Sequence, residues 1–287
     1  MKYTSEILTA LHIELKEILV EIIRVCQECG IEYFIQGGTA IGAFFYNDLI
    51  PWDDDIDIGM TRSEYERFLA VAPSHLGPQF VLQEFTAEPS TPFYFAKIRK
   101  RNTLFVEYPY QDSPIEQGIY VDLFPYDRIP DNAVLERLHR LSVRFWINCY
   151  EGKTLWLWRW FAPHGATISR PRPKSRLFCA MIRLVCQTKT KKQIYRRMNR
   201  VMQRYNNRPY SRVNIVRMPL DQIERKAVEN PVTMLLDGIE VNAPANVESY
   251  LRHHYKDLQR DIPPERQVNH APVMLSFDSQ NGPIYRE

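Results

Sequence analysis

No uninterrupted run of about 18 apolar residues occurs anywhere in the 287-residue sequence, so nothing in it reads as a membrane-spanning helix. The start, Met1 to Ala10, also lacks a basic segment followed by an apolar run and a small-residue cleavage site. These absences predict a chain that is neither exported nor membrane-spanning. Cysteine is sparse: Cys26, Cys29, Cys149, Cys179 and Cys186 are odd in number and scattered, which excludes the disulfide framework of a small secreted domain. A reducing cytoplasm fits them. Cys26 and Cys29 form one C-x-x-C, but no second Cys or His pair follows at zinc-site spacing, so they read as thiols without chemistry. Acidic residues are missing over one long stretch. From Lys153 to Leu220 there are 17 Lys or Arg and no Asp or Glu, which leaves the remainder at 20 basic against 34 acidic residues. The formal net charge of +3 thus conceals a strongly basic segment, and such a surface concentrates anionic partners.

What is present reads as α/β. Apolar residues from Ile7 to Cys26 recur at helical spacing, with Ser5 as the expected N-cap and Gly30 as the stop. Tyr33-Phe34-Ile35-Gln36 predicts a short strand running into the turn Gly37-Gly38-Thr39, and Thr39 to Phe45 a brief helix. Asp55-Ile56-Asp57-Ile58-Gly59-Met60 alternates carboxylate and apolar residues, which predicts a strand with one acidic and one buried face. Ser63 with Glu66 suggests a capping box for the next helix. Strands are expected at Phe80–Glu84, Phe93–Arg99, Thr103–Glu107 and Gly118–Phe124. Beyond Asp131 the pattern predicts helices over 132–150, 175–187 and 189–206, short strands near 213–217 and 233–241, and a helix from Val247 to Leu258. The expected organisation is a catalytic core over 1–130 and a mostly helical, basic extension over 131–287.

The chemistry is concentrated in Trp52-Asp53-Asp54-Asp55-Ile56-Asp57. Four carboxylates packed this closely repel one another unless cations neutralise them or some protonate. On a strand, Asp55 and Asp57 point to one face, so their oxygens can converge on a hard divalent ion such as Mg²⁺. A solvated acidic loop is the alternative for an isolated D-x-D. The apolar neighbours Trp52, Ile56, Ile58 and Met60 argue against it, because unpaired carboxylates on a partly buried strand are unfavourable. Asp122, between Val121 and Leu123, repeats the anomaly and supplies the third carboxylate of a phosphoryl-transfer site. Gly37, Gly38 and Thr39 would let bare backbone approach a phosphate at a helix start. Lys97 and Arg99, alternating on a strand, could meet the same phosphates, with Asp53 and Asp54 tuning the site from behind.

These residues resemble the LicD family of choline-phosphotransferase-like proteins, related to the fukutin-related phosphoryl-polyol transferases. The likeness is carried by Tyr33 to Ala43, Ile50 to Met60, Lys97-Ile98-Arg99 with Asn102-Thr103, and Gly118 to Pro125 with Asp127. Near the end Tyr250-Leu251, Tyr255, Pro263-Pro264-Glu265-Arg266 and His270 look like the family's closing segment. The resemblance implies a polymerase-β-like nucleotidyltransferase core in which Asp55 and Asp57 bind metal, Mg²⁺ or Mn²⁺, and Asp122 binds metal or acts as general base. It implies a CDP-activated donor and transfer of phosphocholine, a related aminoalkyl phosphate or phosphonate, or a polyol phosphate to a lipopolysaccharide, capsular or teichoic acid glycan. Phe44-Phe45-Tyr46-Asn47 stands where a basic patch is expected, so the donor headgroup or the acceptor stays open.

The Trp-rich basic stretch around Lys153 to Phe161, followed by Arg170, Arg172, Lys174 and Arg176, predicts peripheral contact with anionic membrane, which would present a lipid-linked acceptor. Core tryptophans are the competing reading. Two other functions are weighed: a nucleotidyltransferase using the basic helix 189–206 on RNA or acting on a small molecule, and a catalytically silent scaffold that binds glycan or membrane. Nucleic acid is not the expected partner, because the family-like segments lie in the first half, and Asp55, Asp57 and Asp122 argue for catalysis.

Overall fold

A computed structural model describes residues 3–161, 176–215, 222–255, 257–260, 262, 263, 267 and 269–286. The side chains of 154–161, most of the Trp-rich stretch, and all of 162–175 lie outside the described residues, as do Pro264, Glu265 and Arg266.

The chain opens with α1 (Ser5–Cys29), whose Leu11, Leu15, Ile18, Leu19, Ile22 and Cys26 are buried along one stripe. Each such side chain contributes about 1.5–3 kcal/mol on burial. The N-cap is Thr4, not Ser5: its side chain accepts the Ile7 N–H, while Gly30 closes the helix in the left-handed conformation at φ 60°. Next come β1 (Phe34–Ile35) and α2 (Gly37–Tyr46), so Gly37, Gly38 and Thr39 form the first turn of a helix that begins earlier than its sequence suggests. After β2 (Asp57–Thr61), α3 (Arg62–His75) starts on Thr61 with no side-chain cap, which replaces the expected Ser63–Glu66 box. β3 (Phe80–Gln83), β4 (Ala96–Lys100), β5 (Leu104–Val106) and β6 (Tyr120–Ile129) follow.

α4 (Ala133–Phe161), α5 (Arg176–Thr188) and α6 (Lys191–Met202) form the helical stretch. The chain then returns to the sheet with β7 (Arg212–Asn214), β8 (Gln222–Glu224) and α7 (Arg225–Glu229). The hairpin β9 (Val232–Leu236) and β10 (Ile239–Ala243) leads to α8 (Val247–His254), then β11 (Met274–Ser276) and β12 (Tyr285–Arg286).

The architecture is mixed α/β. A seven-stranded sheet runs β1-β2-β6-β4-β3, with β7 added to β6 and β8 to β7. β2 and β6 are parallel and their neighbours antiparallel. The later chain completes this sheet and also supplies β11, which pairs with β5. The helical stretch packs a second core from Val143, Ile147, Tyr150, Ile194 and Met198 against Phe85, Tyr94 and Ile129. Between the two cores lies a buried pair: Arg62 donates to both carboxylate oxygens of Asp127 at 2.9 and 2.6 Å, and Asn206 adds a third donor at 2.7 Å.

Candidate active site

The centre of the sheet brings distant residues into one row. β2–β6 register pairs Asp57 with Asp122, and β6–β4 register pairs Asp122 with Lys97. Residues in register across neighbouring strands project to the same face, so two carboxylates and an ammonium lie side by side. The Lys97 ammonium sits 3.0 Å from Asp122 Oδ1 and 3.2 Å from Glu107 Oε2, and 3.3 Å from the centre of the Tyr120 ring. Asp55 lies just before β2 and not within the strand, while Asp57 is its first residue.

The first turn of α2 is shaped to receive these acids. Thr39 Oγ1 accepts the backbone N–H of Asp57 at 2.9 Å. A Cβ on Gly38 would stand 2.4 Å from Asp53 Oδ2, and one on Gly37 would stand 3.3 Å from Asp57 Oδ2, with Gly37 itself at φ +55°. Glycine here allows the acidic segment to press against the start of a helix, whose amide end favours negative charge. The Gly37 N–H donates to Tyr250 Oη at 3.1 Å, which ties α8 to the same turn.

Asp54 does different work from its neighbours. It is buried and accepts the Tyr3 hydroxyl at 2.8 Å and the His270 backbone N–H at 2.9 and 3.0 Å, so it joins both ends of the chain to the acidic segment. His270 Nδ1 lies 3.5 Å from Asp55 Oδ2, and Asp54, Asp55 and His270 bring one potential ligand atom each within 4.8 Å of one another.

The electrostatics match the crowding. Burial, then repulsion by Asp55 and Asp54, pushes the Asp53 carboxyl up to about 8. Burial, with Asp55, Asp122 and Asp53 adding repulsion, raises Asp57 well above its ordinary range, and burial likewise raises Asp55. Asp122 is pushed up to about 6 by burial, with Lys97 opposing the rise. His270, hydrogen-bonded to Asp54 among three carboxylates, is pushed up to about 9 and so carries a positive charge. A cluster whose carboxyls are raised by burial and mutual repulsion even with Lys97 and His270 beside them is suited to a divalent cation. Its carboxylate oxygens are hard donors of the kind Mg²⁺ and Mn²⁺ prefer.

Lys97 and Arg99 are placed differently from a phosphate clamp. Both are buried; Arg99 donates to Gln83 Oε1 and Gly118 O, each at 2.6 Å, and Lys97 pairs with Asp122 and Glu107. Sequence reasoning gave no role to Glu107, Tyr3, Tyr250 or His270. Only the last two stood in the family-like closing segment, and nothing local in the sequence marks any of them as a neighbour of the acids. A cavity of about 350 Å³ lined by Cys26, Gly30, Tyr33, Glu240 and Asn242 shares no residue with the acidic cluster.

Comparison with known proteins places this site in a relationship. Residues 30–149 match the family described as LicD/FKTN/FKRP, nucleotidyltransferase domain. Over 133 residues the chain is 33% identical to the lipopolysaccharide cholinephosphotransferase LicD of Haemophilus influenzae, which covers 42% of this chain and 46% of that protein. Over 135 residues it is 25% identical to the human ribitol 5-phosphate transferase FKRP, covering 46% of this chain and 24% of that protein. The chain thus spans less than half the length of these curated relatives. The matched span runs from β1 into α4 and contains Gly37, Gly38, Asp53 to Asp57, Lys97 and Asp122. The match over residues 30–149 supports a LicD-family assignment for this part of the chain.

Proposed function

We propose that the protein is a metal-dependent transferase that moves a phosphorylated alcohol from a CDP-activated donor to a hydroxyl of a cell-surface glycan. Residues 1–130 form the core of the reaction, of the polymerase-β-like type, and 131–287 an extension; the cytoplasm is the compartment. The observation that carries this reading is the row Asp57–Asp122–Lys97 across three adjacent strands, beside a helix start whose glycines admit acids. The relatives add the substrate class, one being named for phosphocholine transfer to lipopolysaccharide and the other for ribitol 5-phosphate.

Asp55 and Asp57, joined by Asp122, would hold Mg²⁺ or Mn²⁺, which neutralises charge developing on the donor phosphates and the leaving CMP. At the α2 N-terminus formed by Gly37, Gly38 and Thr39, the amides of Gly38 and Thr39 would receive donor phosphate oxygens, the Gly37 N–H being given to Tyr250 Oη. Where Asp122 does not take the metal, it would act as general base, accepting the proton of an acceptor hydroxyl that enters beside it. Lys97 holds the Asp122 carboxylate, with Glu107 and the Tyr120 ring holding Lys97 in turn. The gain comes from positioning and fixed charge.

A thermal-shift screen of CDP-choline, CDP-ethanolamine, CDP-glycerol and CDP-ribitol, each with Mg²⁺ or Mn²⁺, tests the donor class. The true donor at a hundred times its Kd adds about 2.7 kcal/mol of stability. Asp55→Asn should keep its fold and lose the cation-dependent shift and transfer. Wild-type turnover in that variant, or no shift with any CDP-alcohol, defeats the reading.

A further inference from the structure

The helical stretch carries an apolar surface that neither core uses. On α4, Val134, Leu138 and Leu141 recur at i, i+4 and i+7, and on α5 Leu177, Met181 and Leu184 repeat that spacing. All six are between 43% and 71% exposed. Phe145, one turn beyond Leu141, meets Phe178 with ring centres 5.9 Å apart, so the two stripes approach each other where the helices pack. Amphipathic helices in a globular protein turn such stripes inward; these turn theirs to solvent.

The exposed charge carried by α4 to α6 is of one sign. Between residues 132 and 215 the only acids are Glu136 and Glu151, and both are buried. Arg137 and Arg144 are exposed among the α4 leucines, and Lys192, Arg196 and Arg200 are exposed on α6. Apolar side chains that can enter acyl chains, on helices whose exposed charges are cations, with Asp131 as the exposed acid just ahead of α4, match the two requirements of an interfacial helix surface. A protein partner would need complementary acids and a dry fit. Nucleic acid would use the cations but has no use for a Leu and Met stripe. No helix among the described residues is long and apolar enough to cross a membrane, so contact would be peripheral.

We propose that the exposed faces of α4 and α5 dock the protein on a bilayer bearing anionic headgroups. This surface is formed by different residues from the acidic cluster, and its test needs no turnover. The full chain would be floated with vesicles of phosphatidylcholine alone and with phosphatidylglycerol added. It should rise with the anionic vesicles only, and high salt should weaken the binding. Leu138→Glu with Leu184→Glu, both exposed positions, should keep the melting profile and reduce partitioning by about tenfold or more. Three results overturn the proposal: no flotation with anionic vesicles, undiminished flotation of the double variant, or a dimer in sedimentation that the double variant dissociates, which would make a second copy the occupant. Failure of the transfer reaction would leave flotation untouched, so the two readings fall separately.

Discussion

Replacing Asp53 with Asn should stabilise the protein in the absence of divalent cations, although it removes a residue of the acidic segment. Asn keeps the shape, and its amide oxygen can still accept the Asp54 N–H that Asp53 Oδ1 now receives at 3.2 Å. The His12 contact is to the Asp53 backbone carbonyl and survives. The Asp53 carboxyl moves from 3.8 to about 8 on folding. Because the folded-state value is the higher one, folding favours the protonated form; its stabilisation is complete below about pH 4 and lost as pH rises through about 8. Each tenfold change in proton affinity is ~1.4 kcal/mol, and at pH 7 about three such factors are expressed, a ceiling of about 4 kcal/mol. The carboxyl keeps some contact with solvent, which screens the repulsion, so the expected gain for Asp53→Asn is about 2 kcal/mol. That is a melting temperature higher by about 5 °C for a chain of this size. Calorimetry in chelator should show the gain at pH 7.5, shrinking toward pH 5, and a millimolar divalent cation should narrow it by stabilising the wild type. Equal melting temperatures at pH 7.5 in chelator, or an advantage that grows toward pH 5, would refute the account of the cluster as charge held in excess.

Two further outcomes follow from contacts described above. Gly38→Ala places a methyl 2.4 Å from Asp53 Oδ2, which must move; overpacking of this kind costs about 1–3 kcal/mol, and kcat/KM should fall at least tenfold, so unchanged kinetics would deny the glycine its role. Asp127→Asn leaves the buried Arg62 guanidinium uncompensated and should lower stability by about 3–5 kcal/mol in urea titrations, whereas Arg62→Met with Asp127→Leu recovers most of it.

Much of the first half was legible because its signals are local. The α1 stripe, the alternation after Pro51 and the lone Asp122 each declare burial from spacing alone, and each lies in the sheet or against it. Boundaries went astray where local chemistry was ambiguous. Pro125 lacks an N–H and reads as a strand end, yet β6 continues to Ile129 because Pro125 falls between its ladder to β4, which ends at Leu123, and its ladder to β7, which begins at Asp127. The glycines suggested a loop, but at a helix start they serve the approach of Asp53 and Asp57. Lys97 and Arg99 read as phosphate contacts, and only the register with Asp122 and the proximity of Glu107 reveal them as buried partners of protein groups. The contributions of Tyr3 and His270 depend on pairing across 51 and 216 residues, which no window of sequence contains.

The way Asp54 gathers Tyr3 and His270 has a consequence for biogenesis. A nascent chain can assemble the parallel pair β2 and β6 once residue 129 has emerged, but the acids will then lack their imidazole neighbour. Until residue 270 arrives, the half-made protein has Lys97 but not the imidazole beside its acids, and the site is complete only when the late segment folds back onto the early one.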